Sequence, residues 1–502
     1  MDELTPGRHV RLSRATLSDL PDTIARPHYD VSDLSPGIVH IGVGNFHRAH
    51  QAWYLHRLMQ HGLDRDWAIL GAGVRPADAA MRDRLLAQDC LTTLIELRHE
   101  GSSTEICGAM VDFVPVEDDN PTLIALMADP AIRIVSLTVT EGGYYLDPAS
   151  GAFDAAHPDI VSDAAHPSTP STAFGVIVAA LAHRRAEGHG PFTVQSCDNL
   201  RGNGDITRAA VVSLAALSDP TLADWIAAHC TFPNSMVDCI VPATGPDEIA
   251  RARGFGIIDA APVTHESYRQ WVMEDAFCAG RPAWERVGAT FTDRIHDFET
   301  MKIRILNAGH QVLANAGELL SLDTIADCMA HPDIAAFFRK VQCEEIVPQV
   351  APVPGMTPLD YAALIETRFA NPAIRDTTRR VAFDGSSRHT GFVLPILRDA
   401  LASGGSIEGL SLVEALWARM CAGTRENGAE IEPNDPNWAT LLRAATSARE
   451  SPSAWLAQGG IYGTLSMEAG FGAAFERWLR LIWDRGTQSA LRAYASDPSC
   501  GP

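Results

Sequence analysis

The segment Gly37-Ile-Val-His-Ile-Gly-Val-Gly44 constrains the fold more than any other part of the chain. It is an apolar run ending in closely spaced glycines. It passes directly into Asn45-Phe-His-Arg-Ala-His-Gln-Ala-Trp-Tyr-Leu-His-Arg-Leu-Met59, where apolar residues recur at helical spacing. A buried strand that turns on glycines into a helix is how a dinucleotide fold opens, because small residues permit the tight turn and bring backbone close to a pyrophosphate. Gly42, Val43 and Gly44, with Asn45 and Phe46 at the start of the helix, are the candidate cofactor-binding set. The third glycine of G-x-G-x-x-G is replaced by His47, which predicts a helix set farther from the strand than in the standard fold. In isolation the same pattern also describes a plain strand-to-helix turn.

The surroundings favour the dinucleotide reading. Trp67-Ala-Ile-Leu-Gly-Ala-Gly73, Ile132-Arg-Ile-Val-Ser-Leu-Thr-Val139 and Phe192-Thr-Val-Gln-Ser196 read as further buried strands, bracketing Ala-rich helical stretches such as Ala173 to Arg185. Strands alternating with helices predict an α/β domain with a mostly parallel, Rossmann-type sheet. From Asp297 the pattern becomes Ala- and Leu-rich helix, over Ile303–Leu320, Ile325–Val341, Ser411–Cys421 and Phe475–Ala493. The expected organisation is therefore a cofactor domain over 1–292 and a mainly α-helical substrate domain over 293–502. An acidic residue for the adenosine ribose is expected after the second strand. The first carboxylate there is Asp78, which favours NAD over its phosphorylated analogue, although Arg75 is close and Asp78 reads equally well as a helix cap.

Charge and composition narrow the function classes. A formal net charge of −22 on 502 residues repels phosphate backbones, so nucleic acid is not an expected partner. Neither a secretory signal nor an apolar run of membrane-spanning length is present, and the ten cysteines are scattered without a C-x-x-C pair. A cytoplasmic protein, monomeric or weakly oligomeric, acting on a small molecule is expected. No Cys/His set has the spacing of a tetrahedral zinc site, His47-x2-His50 being a pair without further partners, and neither lysine completes a Tyr-x3-Lys.

Those lysines are the most informative count. Of 40 basic residues besides histidine, two are lysines, Lys302 and Lys340. Arginine cannot release its proton near neutrality, whereas a desolvated lysine can. On an ideal helix with Lys302 at zero, Glu299 lies near 60°, His310 near 80° and Asn307 near 140°, an arc of roughly 140° that also carries Ile303, Leu306 and Leu313. Polar groups directed into an apolar stripe must satisfy one another or line a site. Lys302 is either a snorkelling partner of Glu299 or a general base, with Asn307 a donor to an alkoxide and His310 a holder of a substrate hydroxyl. Lys340 reads as an ordinary surface residue.

Ile41-Gly-Val-Gly-Asn-Phe-His-Arg-Ala-His-Gln51, Thr138-Val-Thr-Glu-Gly-Gly-Tyr144, Ser196-Cys-Asp-Asn-Leu200, Arg281-Pro-Ala-Trp-Glu285 and Lys302-x4-Asn307-x2-His310 resemble the polyol-specific long-chain dehydrogenases, most closely those acting on mannitol. The resemblance implies a two-domain, zinc-free oxidoreductase that interconverts D-mannitol and D-fructose with NAD at a site between its domains. It implies that Lys302 is the general acid/base, that Asn199 and Asn307 form the oxyanion pocket, and that His310 orients substrate while Glu299 relays protons. Glu141 would sit near the nicotinamide. Asp238 and Arg380 would contact polyol hydroxyls, with Arg379 a possible substitute, and Arg388 falls where relatives carry a basic residue. The chain departs from the family at Cys239, where an arginine is usual, at Glu266-Ser-Tyr, and at Ala308. The Cys239 change bears on substrate preference. Other polyols (D-arabinitol, D-sorbitol) remain alternatives, as does a hexuronate such as fructuronate or tagaturonate, for which Arg269 and Arg304 could hold a carboxylate. A non-catalytic NAD-binding regulator is the alternative from outside the enzymes.

Overall fold

A computed structural model describes residues 9–147 and 150–496. The chain forms two compact units, Met1–His296 and Asp297–Pro502.

The first unit is organised around five parallel strands: β1 (Pro36–Ile41), β2 (Ala68–Ala72), β3 (Met110–Phe113), β4 (Ile134–Leu137) and β5 (Thr193–Ser196), in the order β3-β2-β1-β4-β5. Apolar side chains leave the sheet on both faces. Val39 and Ile41 of β1 join Leu137, Val194 and Phe174 in one core, while Ile38, Ile69 and Ile134 join Trp271 and Trp284 in the other. A parallel sheet covered on both sides reads as continuous apolar runs rather than as alternation, which is why these strands are conspicuous in the sequence. The remaining strands form smaller sheets. Thr92–Arg98 pairs antiparallel with Gly101–Cys107 and parallel with Val263–Glu266, and Ser235–Asp238 pairs antiparallel with Gln270–Met273.

The second unit is helical. Every residue of Ala308–Leu319 is buried, as expected of a helix surrounded by others. Two helices expected to be continuous are broken. Ile325–Ala330 and Pro332–Val341 part at His331, where Pro332 takes the first helical position. Ala469–Arg485 and Thr487–Ser496 part at Gly486, whose φ of 84° ends the first of them. Lys340 is not an ordinary surface residue: its Nζ donates to the Tyr494 carbonyl at 3.0 Å and lies 4.9 Å from that ring's centroid, holding the C-terminal helix. Among its described residues three π-helical turns interrupt this unit, at Lys302–Asn307, Gln342–Ile346 and His389–Val393. No helix among the described residues is long and apolar enough to cross a membrane.

Candidate active site

Strand order reverses between β1 and β4, and in open α/β sheets ligands bind outside the carboxyl ends of the strands at such a switch point. Within the first unit, the candidates Gly42 to Phe46 follow β1 and Glu141 follows β4. Gly42 has φ +95°, and a Cβ on it would fall 2.1 Å from the Thr138 carbonyl oxygen, so only glycine lets the two strand ends approach. A Cβ on Gly44 would meet nothing nearer than the Gly42 oxygen at 4.0 Å, leaving the mouth of the turn open for a phosphate-bearing ligand. Asn45 donates from Nδ2 to the Pro242 carbonyl and to Thr244 Oγ1, both at 2.9 Å, and accepts from Arg48 Nη2. Val43 is buried, and Phe46 stacks on His50. His47 stacks on His40 of β1 with ring centroids 3.4 Å apart, so an imidazole fills the space between strand and helix that the third glycine would close. His50 contacts the Gln270 carbonyl and His47 contacts Gln51, both through ring nitrogens. Among the described residues no group of three or more His, Cys, Asp or Glu side chains has a metal-holding arrangement.

Asp78 follows β2. Its side chain does not cap the helix Ala79–Leu86. It turns back to accept from the Arg75 amide at 3.0 Å and lies against Gly73, where a Cβ would fall 2.2 Å from the aspartate's own. Glu141 follows β4 in an exposed turn whose preceding residue, Thr140, has φ 64° and ψ 166°. That region is essentially restricted to glycine, and a β-branched residue held there stores on the order of 1–3 kcal/mol. The restraint is Asp198, after β5. Its buried carboxylate accepts from the amides of Val139 (2.9 Å) and Thr140 (3.0 Å) and from the Tyr144 hydroxyl (2.8 Å). Burial raises the Asp198 pKa, and the hydrogen bonds oppose the rise. Asp198 thus ties the Glu141 turn to the loop bearing Asn199. Asp238 is buried at the end of Ser235–Asp238, paired in register with Gln270.

In the second unit, Glu299, Lys302 and His310 are only 4%, 7% and 9% exposed. The π turn alters the geometry expected of them. The Ala308 amide reaches back to the Ile303 carbonyl, five residues rather than four, which inserts one residue into the turn. Side chains beyond it lag by about 100°, bringing Asn307 to about 40° and His310 to about −20° from Lys302. The four polar groups then share an arc of about 80° instead of the 140° of an ideal helix. His310 stacks on Phe369 at 4.2 Å between centroids and 19° between planes. Burial pushes its pKa down to about 4 against the pull of Asp376, so it is a neutral imidazole at pH 7.

Asp376 lies beyond the expected site residues. Its carboxylate takes Arg380 in a bidentate pair, 2.7 Å to Nε and 2.6 Å to Nη2, and lies 3.7 Å from His310 Nε2. An acid four residues before a base, just ahead of the helix Thr378–Ala382, is the sequence signal that could have found it. Arg388 donates to the Val381 carbonyl at 2.9 Å. Arg379 turns elsewhere, to the Glu432 carbonyl and towards Glu318. The two arginines that could have held a sugar-acid carboxylate are also engaged. Arg269 donates to the Ala49 carbonyl, contacts His265 and lies over Trp53, and Arg304 donates to the Gln349 carbonyl and to Asp399.

Comparison with known proteins gives a consistent result across nearly the whole chain. Family profiles described as the mannitol dehydrogenase Rossmann domain and the mannitol dehydrogenase C-terminal domain match residues 36–286 and 294–483. The mannitol 2-dehydrogenase of Cereibacter sphaeroides is 57% identical over 472 residues, 94% of this chain and 99% of that protein. Among solved structures, Pseudomonas fluorescens mannitol 2-dehydrogenase, in a ternary complex with NAD and D-mannitol, has 41% identity and a TM-score of 0.86, covering 97% of this chain and 100% of its own. A substrate-free D-sorbitol dehydrogenase has 33% identity and a TM-score of 0.88, covering 96% of this chain and 100% of its own.

Proposed function

The chain belongs to the mannitol dehydrogenase family and is a polyol dehydrogenase, and from that premise we propose that it interconverts D-mannitol and D-fructose with NAD, using Lys302 as general acid/base. The observation that carries the reading is the narrow arc onto which Glu299, Lys302, Asn307 and His310 are drawn, four polar groups on one face of an otherwise apolar, largely buried helix. In the direction of polyol oxidation, neutral Lys302 takes the proton of the C2 hydroxyl. Asn307 and Asn199 donate to the developing alkoxide. His310, neutral at working pH, holds a substrate hydroxyl, and Glu299 passes the proton between Lys302 and solvent. Asp238, Arg380 and Arg388 contact the remaining hydroxyls.

NAD, when bound, supplies the hydride acceptor. Gly42, Val43, Gly44, Asn45 and Phe46 would hold its pyrophosphate, Asp78 its adenosine ribose, and Glu141 would lie by its nicotinamide. The open space at Gly44 and the half-buried carboxylate of Asp78 suit those groups. The pairing of Arg304 with Asp399 favours an uncharged polyol over a sugar acid, because that guanidinium already has a carboxylate partner.

Steady-state kinetics with mannitol, sorbitol, arabinitol and mannonate, each with NAD and NADP, test the reading. Mannitol with NAD is expected to give the highest kcat/KM. A higher value for mannonate, or for NADP with any polyol, would overturn the corresponding part of the assignment.

A further inference from the structure

A π turn is less stable than the α-helix it interrupts, and it persists where surrounding groups hold it. Lys302 is the first residue of the turn in question and Asn307 the last. Shifting from i−4 to i−5 pairing also leaves the helix one N–H short for its carbonyls. A donor comes from outside: Gln342 Nε2 donates to the Ile305 carbonyl, inside the turn, at 2.8 Å. Only the nitrogen end of the amide can face a carbonyl, so the orientation of Gln342 is determined by this bond. Gln342 itself begins a second π turn, in which the Val347 amide reaches back to the Gln342 carbonyl.

Two further observations separate this contact from ordinary packing. Gln342 is 2% exposed and its Oε1 has no hydrogen-bond partner in the protein, so the amide is satisfied at one end only. A half-satisfied buried amide costs stability, so this one is kept for its donor end, which the Ile305 carbonyl uses. Gly309, one residue before His310, makes room for it: a Cβ there would fall 2.6 Å from Gln342 Nε2 and 3.2 Å from Phe338 Cε2. Glycine in a buried helix interior is unfavourable compared with alanine, and this one is used where the amide lies against the helix.

We infer that Gln342 is a positioning residue of the reaction, whose amide, admitted by Gly309, holds the π turn that sets Lys302 and Asn307 on one face. The inference rests on the reading of Lys302 as the base. With the amide gone, the turn loses its external donor and relaxes toward i−4 pairing, and Asn307 swings by about one residue, roughly 100°, away from Lys302. Lys302 then leaves the setting in which it works as a neutral base.

The test is a double-substitution cycle on the full chain, with kcat, KM and the pH profile of polyol oxidation as readouts. Gln342→Ala is expected to lower kcat on the order of 10–100-fold, the scale of a misplacement of about 1 Å. It should leave the KM for NAD within about twofold and shift the acid limb of kcat, which reports the setting of the base. Gly309→Ala, which would ordinarily stabilise a helix, should cost about 10-fold in kcat in the parent and less than about twofold in the Gln342→Ala background, because both act on the same contact. Equal costs of Gly309→Ala in both backgrounds, or an unmoved acid limb, would overturn the inference. If Gln342→Ala does not fold, Gln342→Glu decides: its carboxyl can donate to Ile305 only when protonated, so its activity relative to the parent should rise as pH falls, and a constant ratio refutes the role. Full activity in Lys302→Ala would instead remove the reading of the base on which the inference stands, which makes the two failures distinguishable.

Discussion

Replacing Asp198 by alanine would release the most strained backbone near the candidate nicotinamide site. Thr140 is held at φ 64°, ψ 166° while the Asp198 carboxylate accepts from its amide, from Val139 and from Tyr144. Hydrogen bonds to a charged group contribute about 1.5–3 kcal/mol each, so three at the low end come to roughly 4–5 kcal/mol. Relief of Thr140 strain returns about 2 kcal/mol, leaving a net loss of about 2–3 kcal/mol. At about 2–4 °C per kcal/mol for a unit of this size, the melting temperature of the first unit should fall by roughly 5–10 °C. Thr140→Gly should do the opposite. It removes the strain, at a cost of up to about 1 kcal/mol in glycine entropy, for a net gain of about 1 kcal/mol and roughly 2–4 °C. In the Asp198→Ala background the same glycine should gain little, since the turn has already relaxed. Calorimetric melting of the four proteins, with NADH fluorescence titrations alongside, reads both effects, and Asp198→Ala should weaken NADH binding as the Glu141 turn moves. A Thr140→Gly variant that melts below the parent, or an Asp198→Ala variant within about 1 °C of it, refutes the reasoning.

Acid should unfold the first unit before the second. Burial pushes His40, His56 and His265 down to about 3, against about 4 for His310 in the second unit, so all four fold neutral. A depressed histidine contributes stability that is complete above the ordinary value of about 6.5 and is lost as pH falls from there toward the folded value, at up to about 1.4 kcal/mol per pH unit for each group. Three such groups cost the first unit about 4 kcal/mol per unit below pH 6, so fluorescence of Trp67, Trp271 and Trp284 should report unfolding near pH 5, and a transition below pH 4 contradicts the linkage. Asp376→Ala frees Arg380 from its bidentate partner and leaves His310 without its nearest carboxylate. It should raise the polyol KM about 10-fold while leaving the KM for NAD unchanged, and a polyol KM within twofold of the parent would count against Asp376 as an organiser of that pocket.

What the sequence reveals and what it hides follow from how each feature is held. The five strands of the main sheet are legible because both faces are buried, leaving runs such as Ile38–Ile41 apolar except for His40, whose two ring nitrogens find Ser136 and Thr138. The hairpin Thr92–Arg98 with Gly101–Cys107 escapes notice because Thr, Glu and Ser interrupt it and no two-residue turn motif marks its reversal. The polar stripe from Glu299 to His310 is legible as a stripe, because helical spacing alone groups those residues. Its true width is not, since i−5 pairing has no composition of its own and its external donor, Gln342, lies 37 residues from Ile305. Asp198 stood within a recognisable motif, but its partners after β4 are about 58 residues away and only the strand order brings them together. Lys340 misleads for the same reason, its carbonyl partner being 154 residues distant.

The central claim is that Lys302 is the base of an NAD-dependent polyol oxidation. The most direct measurement is single-turnover oxidation of mannitol by Lys302→Ala beside the parent, with NADH binding measured on both. A positioned general base is worth about 10²–10⁴-fold, so the account predicts at least a hundredfold loss of rate with NADH affinity unchanged. A variant that retains more than about a tenth of the parent rate would contradict it.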